Sequence, residues 1–152
     1  MTRKAQLGSV SSATMRPQDL IPRFLDELRD LAGDAKVDTL VMEYDVPAGL
    51  DDALQDDNHP YWGSEEPEGL LEVLFDELDE HAPPHCYFGA HEGDGADYGF
   101  WISWDSLDDD PDVLRCDDGR GGVALPDYIL HTNDHGNVTL YKVTLTPAWD
   151  CV

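Results

Sequence analysis

With 152 residues, a 41% hydrophobic composition, four Trp, six Tyr and four Phe, the chain holds enough apolar material for a core, which excludes a disordered acidic tail. Against 9 Lys and Arg stand 33 Asp and Glu, for a formal net charge of −24 and a pI near 4.1. A field of that sign repels nucleic acid and anionic membrane, so neither is expected as a direct partner, whereas a basic protein is attracted.

Residues 1–16 are small and polar with no periodic apolar face, and they are expected to form a flexible N-terminal segment that does not pack. From Pro17 to Leu31 the apolar residues Leu20, Ile21, Phe24, Leu25, Leu28 and Leu31 recur at helical spacing, with Asp19 early, Arg29 late and Gly33 just beyond. This predicts an amphipathic helix with Pro22 in or near its first turn, where a missing amide hydrogen costs little. The run Asp38 to Val46 alternates through Glu43 and Asp45 and predicts a half-buried strand that ends before Pro47. An acidic loop is expected over 48–67, with Tyr61 and Trp62 as its conspicuous apolar pair. A second amphipathic helix is predicted over Glu68 to Glu80, after Pro67, with Leu70, Leu71, Leu74, Phe75 and Leu78 facing inward.

Beyond Pro83 and Pro84 the pattern changes to the β type. Cys86 to Phe88 and Tyr98 to Trp104 predict two strands joined by a glycine-rich loop over 89–96. A short helical turn is expected within Asp105 to Arg115, and then a loop through Gly119, Gly121 and Gly122. Asp127 to His131 and Val138 to Thr146 predict a hairpin across Asn133 to Asn137, with a last strand segment from Trp149 to Val152. The expected architecture is α+β, with two amphipathic helices packed on an antiparallel sheet in a single acidic domain spanning 17–152. Cys86, Cys116 and Cys151 have no CxxC spacing, so they are expected as free and mostly buried thiols.

Three pieces, Ala82-Pro83-Pro84 with Tyr87-Phe88-Gly89-Ala90-His91, the run Gly93 to Trp101, and Asn133-Asp134-His135-Gly136-Asn137 with Val138 to Tyr141, resemble a group of small phage and prophage proteins of unassigned activity. The resemblance covers roughly the C-terminal half. It implies a phage context and supplies no catalytic residue. No window approaches the ~18 apolar residues of a membrane span, and no apolar signal core follows Arg3 and Lys4. The expected location is the cytosol, that of the host cell if the chain is phage-encoded.

Charge is distributed unevenly. Between Val37 and Leu114 there are 23 carboxylates and no Lys or Arg. Within that stretch Glu68, Glu72, Asp76 and Glu80 stand at successive i+4 positions of the second predicted helix, each about 6 Å further along its axis. That interval is comparable to the spacing of phosphates along a strand, given the ~3.4 Å axial rise and the winding of the backbone. The three like-charged i,i+4 pairs destabilise the helix by about 1 kcal/mol in total, so local stability does not explain them. Asp56, Asp57, Asp108, Asp109 and Asp110 add further clusters. The functional expectation is a non-catalytic, phage-type inhibitor. Its acidic surface imitates nucleic acid and occupies the groove of a basic host protein that binds DNA or RNA, as an anti-restriction or anti-CRISPR agent does. The bland alternatives are a solvated face and a salt-adapted domain, although salt adaptation spreads acids along a chain, and here all nine cations lie outside the central stretch.

A second class of function is a metal-binding domain or metal-dependent enzyme using His91, Asp94, Asp97, His131 and His135, should their loops be neighbours. Against it, Asn133 to Asn137 is the composition a tight hairpin turn wants. His81 and His85 are separated by two prolines that break the helix needed to align them. The aromatic run Tyr98, Phe100, Trp101 and Trp104 reads as strand packing before it reads as a binding platform. Nucleophile elbow, HExxH and phosphate-loop motifs do not occur, so no catalytic residue is assigned and no cofactor is expected.

Overall fold

The computed structural model describes residues 3–47, 56–112 and 128–151. The chain is α+β and divides into two compact units, Met1–Ser103 with Cys151 and Trp104–Asp150 with Val152. Outside the described residues lie the first part of the expected acidic loop (48–55), the end of the expected helical turn before Arg115, Cys116, the loop through Gly119, Gly121 and Gly122, Asp127 and Val152.

In the first unit, helix α1 (Pro17–Ala32) buries Leu20, Ile21, Phe24, Leu25 and Leu28 on one face, as the spacing predicts. Pro22 falls in the second turn rather than the first, so the Gln18 carbonyl loses its intrahelical donor. Gly33 stops the helix. At φ 93° it adopts a conformation that side chains disfavour, while its N–H closes on the Arg29 carbonyl at 2.9 Å.

The chain then starts a second helix where a strand was expected. Helix α2 (Asp34–Glu43) follows Gly33 directly. Val37, Leu40, Val41 and Tyr44 recur at the 3.6-residue period, with Val37 and Leu40 buried and the other two packed against the core. A window opening at Asp38 leaves out Val37 and shows only the alternation of Glu43 and Asp45, which is solvent-side polarity rather than a pleat. After a 3₁₀ turn at Pro60–Gly63 comes helix α3 (Glu66–Asp79), two residues earlier than predicted, with Pro67 in its first turn and Leu70, Leu74 and Leu78 buried.

Strands β1 (Gly8–Ser11), β2 (Cys86–His91) and β3 (Asp94–Ile102) form an antiparallel sheet in the order β1-β3-β2. Most of the expected glycine-rich loop is therefore strand. Gly89 pairs with Gly99, and only Glu92 and Gly93 connect β2 to β3. Strand β1 overturns the expectation that residues 1–16 do not pack. Ala5 donates its N–H to the His81 carbonyl at 2.9 Å, the His81 ring bonds the Arg3 carbonyl through Nδ1 at 2.7 Å, and Lys4 Nζ donates to the Glu80 carbonyl at 3.1 Å. These anchors are mostly backbone groups, which leave no hydrophobic period in a sequence. Gly99 admits β1, since a Cβ there would stand 2.1 Å from the Gly8 carbonyl oxygen and 2.8 Å from Ser9 Cα.

The core sits between α1, α3 and one face of this sheet. Phe24 is at its centre, with ring centroids 5.3 Å from Phe75, 5.1 Å from Phe88 and 6.0 Å from Tyr98, all edge-to-face. Phe88 and Phe100 are cross-strand partners at 4.9 Å.

The second unit contains helix α4 (Trp104–Asp109) and the hairpin of β4 (Tyr128–Thr132) and β5 (Val138–Lys142). Its turn is built as the residues predict. Asn133 Oδ1 accepts from the N–H groups of His135 and Asn137, Gly136 N–H donates to the Asn133 carbonyl at 2.9 Å, and Gly136 takes φ 80°. Residues 149–151 form no strand, contrary to expectation. Cys86 is half-buried and Cys151 exposed, so these two thiols are less buried than the composition suggests.

Candidate acidic interface

Two residues around a helix amount to about 200°, which sets Glu68, Glu72, Asp76 and Glu80 opposite Leu70, Leu74 and Leu78. The leucines are buried, and all four carboxylates are exposed. Glu80 is the residue that ends α3 and keeps helical dihedrals, so it remains in register with the other three. The row spans about 18 Å. Among the described residues no cation forms an ion pair with any of the four. Lys4 reaches the end of the row, but onto the Glu80 carbonyl, where it offsets the negative end of the helix dipole.

Other acids on or near α3 are committed to the fold. Glu77 pairs with Lys36 of α2. Asp79 Oδ1 accepts the Phe88 N–H at 2.8 Å; β2 is an edge strand, so this carboxylate covers an outward-facing backbone donor of the sheet. Glu66 and Asp45 lie near the buried Tyr61 hydroxyl, whose pKa is pushed up to about 12 by burial first and by those two charges second. Among the described residues that hydroxyl has no hydrogen-bond partner.

The remaining residues singled out from the sequence are not all equivalent. Asp57 pairs with Arg16 at 3.0 Å, and Arg16 also grips Asp19 at 2.9 Å. Hydrogen bonds from Arg16 and then from Thr14 hold the Asp19 carboxyl below the usual carboxylate range. Asp56 is exposed and accepts the Asn58 N–H in a local turn. Asp108 and Asp109 are exposed on α4, and Asp110 accepts the Asp112 N–H, all in the second unit. The structure thus gathers Glu68, Glu72, Asp76 and Glu80 on one face, takes Asp57 into an ion pair, and places Asp108 to Asp110 in the other unit. A stretch without cations in the sequence is not without them in space, since Arg16 arrives from the residue that precedes α1 and Lys36 from α2.

Of the proposed metal ligands, His91, Asp94 and Asp97 are engaged in local contacts. His91 Nδ1 accepts the Gly93 N–H at 2.9 Å, and its ring stands edge-on to Trp101 at 4.7 Å. Asp94 accepts the Ala96 N–H, and Asp97 accepts the Ser9 hydroxyl. His131 lies on β4 and His135 in the hairpin turn, both exposed and both in the second unit. Among the described residues no group of three or more His, Cys, Asp or Glu side chains is placed to hold a metal ion. The aromatic run divides: Tyr98 and Phe100 pack in the core, Trp101 lies half-buried with Nε1–H donating to the Gly89 carbonyl at 3.0 Å, and Trp104 is exposed on α4.

One feature gives no signal in the sequence. A cleft of about 420 Å³ lies in the first unit between β1 and the start of α1, lined by Ser9, Ser11, Ser12, Thr14, Asp19 and Arg23 among others. The serines announce it only once β1 and the residues that follow it are known to pack. Compared with family models, with curated proteins and with solved structures, the chain gives no match.

Proposed function

We propose that this protein is a non-catalytic inhibitor whose acidic face imitates nucleic acid and occupies the cationic groove of a DNA- or RNA-binding host protein. An anti-restriction or anti-CRISPR role suits the phage context that the sequence resemblance suggests. The observation that carries this reading is the row Glu68, Glu72 and Asp76: exposed, without a cation partner among the described residues, and spaced at about 6 Å. The row is held on a helix whose opposite face is locked by Leu70, Leu74 and Leu78, so little ordering entropy remains to be lost when it docks. Arginines and lysines of the partner would meet the row as they meet phosphates, and the displaced nucleic acid would lose access to them.

Charge reversal tests the proposal. The triple variant Glu68→Lys, Glu72→Lys, Asp76→Lys is expected to lose partner binding while keeping the wild-type circular dichroism spectrum, because the three side chains face water. A reversed variant that still binds the partner with unchanged affinity contradicts it.

A further inference from the structure

The cleft between β1 and α1 is separate in position and chemistry from the acidic row. Two of its hydroxyls are already committed, Ser9 donating to Asp97 and Thr14 to Asp19. Ser11 is different. The residue as a whole is only 7% exposed and lines the cleft, and its hydroxyl has no hydrogen-bond partner among the described residues. Since the Tyr61 hydroxyl, and not that of Ser11, is the buried hydroxyl without a partner among the described residues, the Ser11 hydroxyl is open to the solvent in the cleft and available to a group that enters it. Ser12, exposed at the rim, is likewise without a side-chain partner among the described residues.

Arg23 completes the set. It lines the same cleft and forms no ion pair among the described residues, although Asp19 and Glu27 stand one helical turn away on either side. Asp19 does not quench it, because both oxygens of that carboxylate are taken by Arg16, at 2.9 and 3.1 Å, and one of them also by the Thr14 hydroxyl. The first turn of α1, which contributes Asp19 to the lining, adds the positive end of a 16-residue helix. What the cleft offers is therefore a guanidinium and hydroxyl groups without partners among the described residues, while its lining carboxylate, Asp19, is held by Arg16, which also pairs with Asp57. A metal ion or an amine would be repelled by the Arg23 guanidinium, and a neutral sugar would find no aromatic ring among the lining residues to stack on.

We propose that this cleft binds a small oxyanion of the phosphate class, held by the Arg23 guanidinium and the Ser11 and Ser12 hydroxyls. The volume, about 420 Å³, exceeds what inorganic phosphate fills and leaves room for the organic part of a phosphate monoester. The acidic character of the whole chain does not forbid this. Its field is screened over ~8 Å at physiological salt, whereas the bonds offered here act at contact.

The test is a ¹⁵N–¹H correlation titration of the full chain at constant ionic strength, with inorganic phosphate and, separately, ribose 5-phosphate. The expected result is saturable shifts confined to the amides of residues 9–14 and the first turn of α1. Arg23→Gln is expected to weaken binding about tenfold and Arg23→Lys to restore part of it, since a charged hydrogen bond is lost and then partly replaced. Tighter binding of the ester than of phosphate identifies an ester as the source, and equal binding identifies free phosphate. Shifts that do not saturate with either probe overturn the proposal, as does an affinity unchanged in Arg23→Gln. Should Arg23→Gln fail to give the wild-type spectrum, the double variant Ser11→Ala, Ser12→Ala takes its place, with the same expected weakening and the same refutation.

Discussion

Replacing Glu72 with Gln removes an inner charge of the row on α3, and the fold is expected to become more stable. Glu72 has Glu68 one turn before it and Asp76 one turn after, and among the described residues no cation pairs with any of them. Each like-charged i,i+4 pair costs about 0.2–0.5 kcal/mol, so relieving two gives about 0.4–1 kcal/mol. Gln and Glu have nearly the same helix propensity, which leaves charge as the difference. With a slope of about 2 kcal/mol per molar, the urea midpoint followed by circular dichroism should rise by about 0.2–0.5 M in low salt. In 1 M NaCl the Debye length falls to ~3 Å, below the ~5–6 Å between neighbouring side chains, and most of the gain should vanish. Glu77→Gln on the same helix breaks the pair with Lys36 and should lose up to about 1 kcal/mol. A Glu72→Gln variant less stable than wild type at low salt would refute the reasoning, since the row would then be holding the fold together. A gain indifferent to salt would refute the electrostatic cause.

Asp79→Ala leaves the Phe88 N–H without its acceptor and should cost about 1.5–3 kcal/mol in urea unfolding; no loss would mean that water replaces the carboxylate at the sheet edge. Gly99→Ala drives a methyl group into the Gly8 backbone, so amides of residues 8–11 should exchange with solvent much faster while those of α1 and α3 stay protected, and unchanged protection in β1 would contradict the close approach. Glu27 has its pKa raised above the ordinary 4.5 by burial first and by Asp30 second, with Arg3 opposing. The folded chain then binds this proton more tightly than the unfolded one, so the stability contributed is full below about 4.5 and is lost as pH rises through the folded value. Glu27→Gln should gain on wild type across that window and hold a constant advantage above it; an advantage that does not change with pH would remove burial of the charge as the cause.

What was legible in the sequence follows from how each element is stabilised. Helices α1 and α3 repeat a leucine-rich face over several turns, and the hairpin of the second unit carries its turn in five residues, so periodicity and turn chemistry suffice for them. Helix α2 is short, and its period depends on Val37, which stands before the apparent strand begins. Strand β1 is recognised by backbone hydrogen bonds and by the bareness of Gly99, neither of which leaves a pattern in residues 1–16. The acidic row could be read because i+4 spacing is local. Which acids lose their freedom could not, because Arg16 meets Asp57 across 41 residues and Asp79 serves the Phe88 amide of a strand that its own helix does not reveal.

The central claim is tested most directly by competitive release from the immobilised, tagged chain. Host lysate is applied at about 0.1 M salt, and the column is then washed first with DNA or RNA and finally with about 1 M salt. The account predicts a basic nucleic-acid-binding protein that comes off with nucleic acid, comes off with salt, and is not retained by the Glu68→Lys, Glu72→Lys, Asp76→Lys variant. Capture of no such protein, or retention that nucleic acid does not disturb, would contradict it.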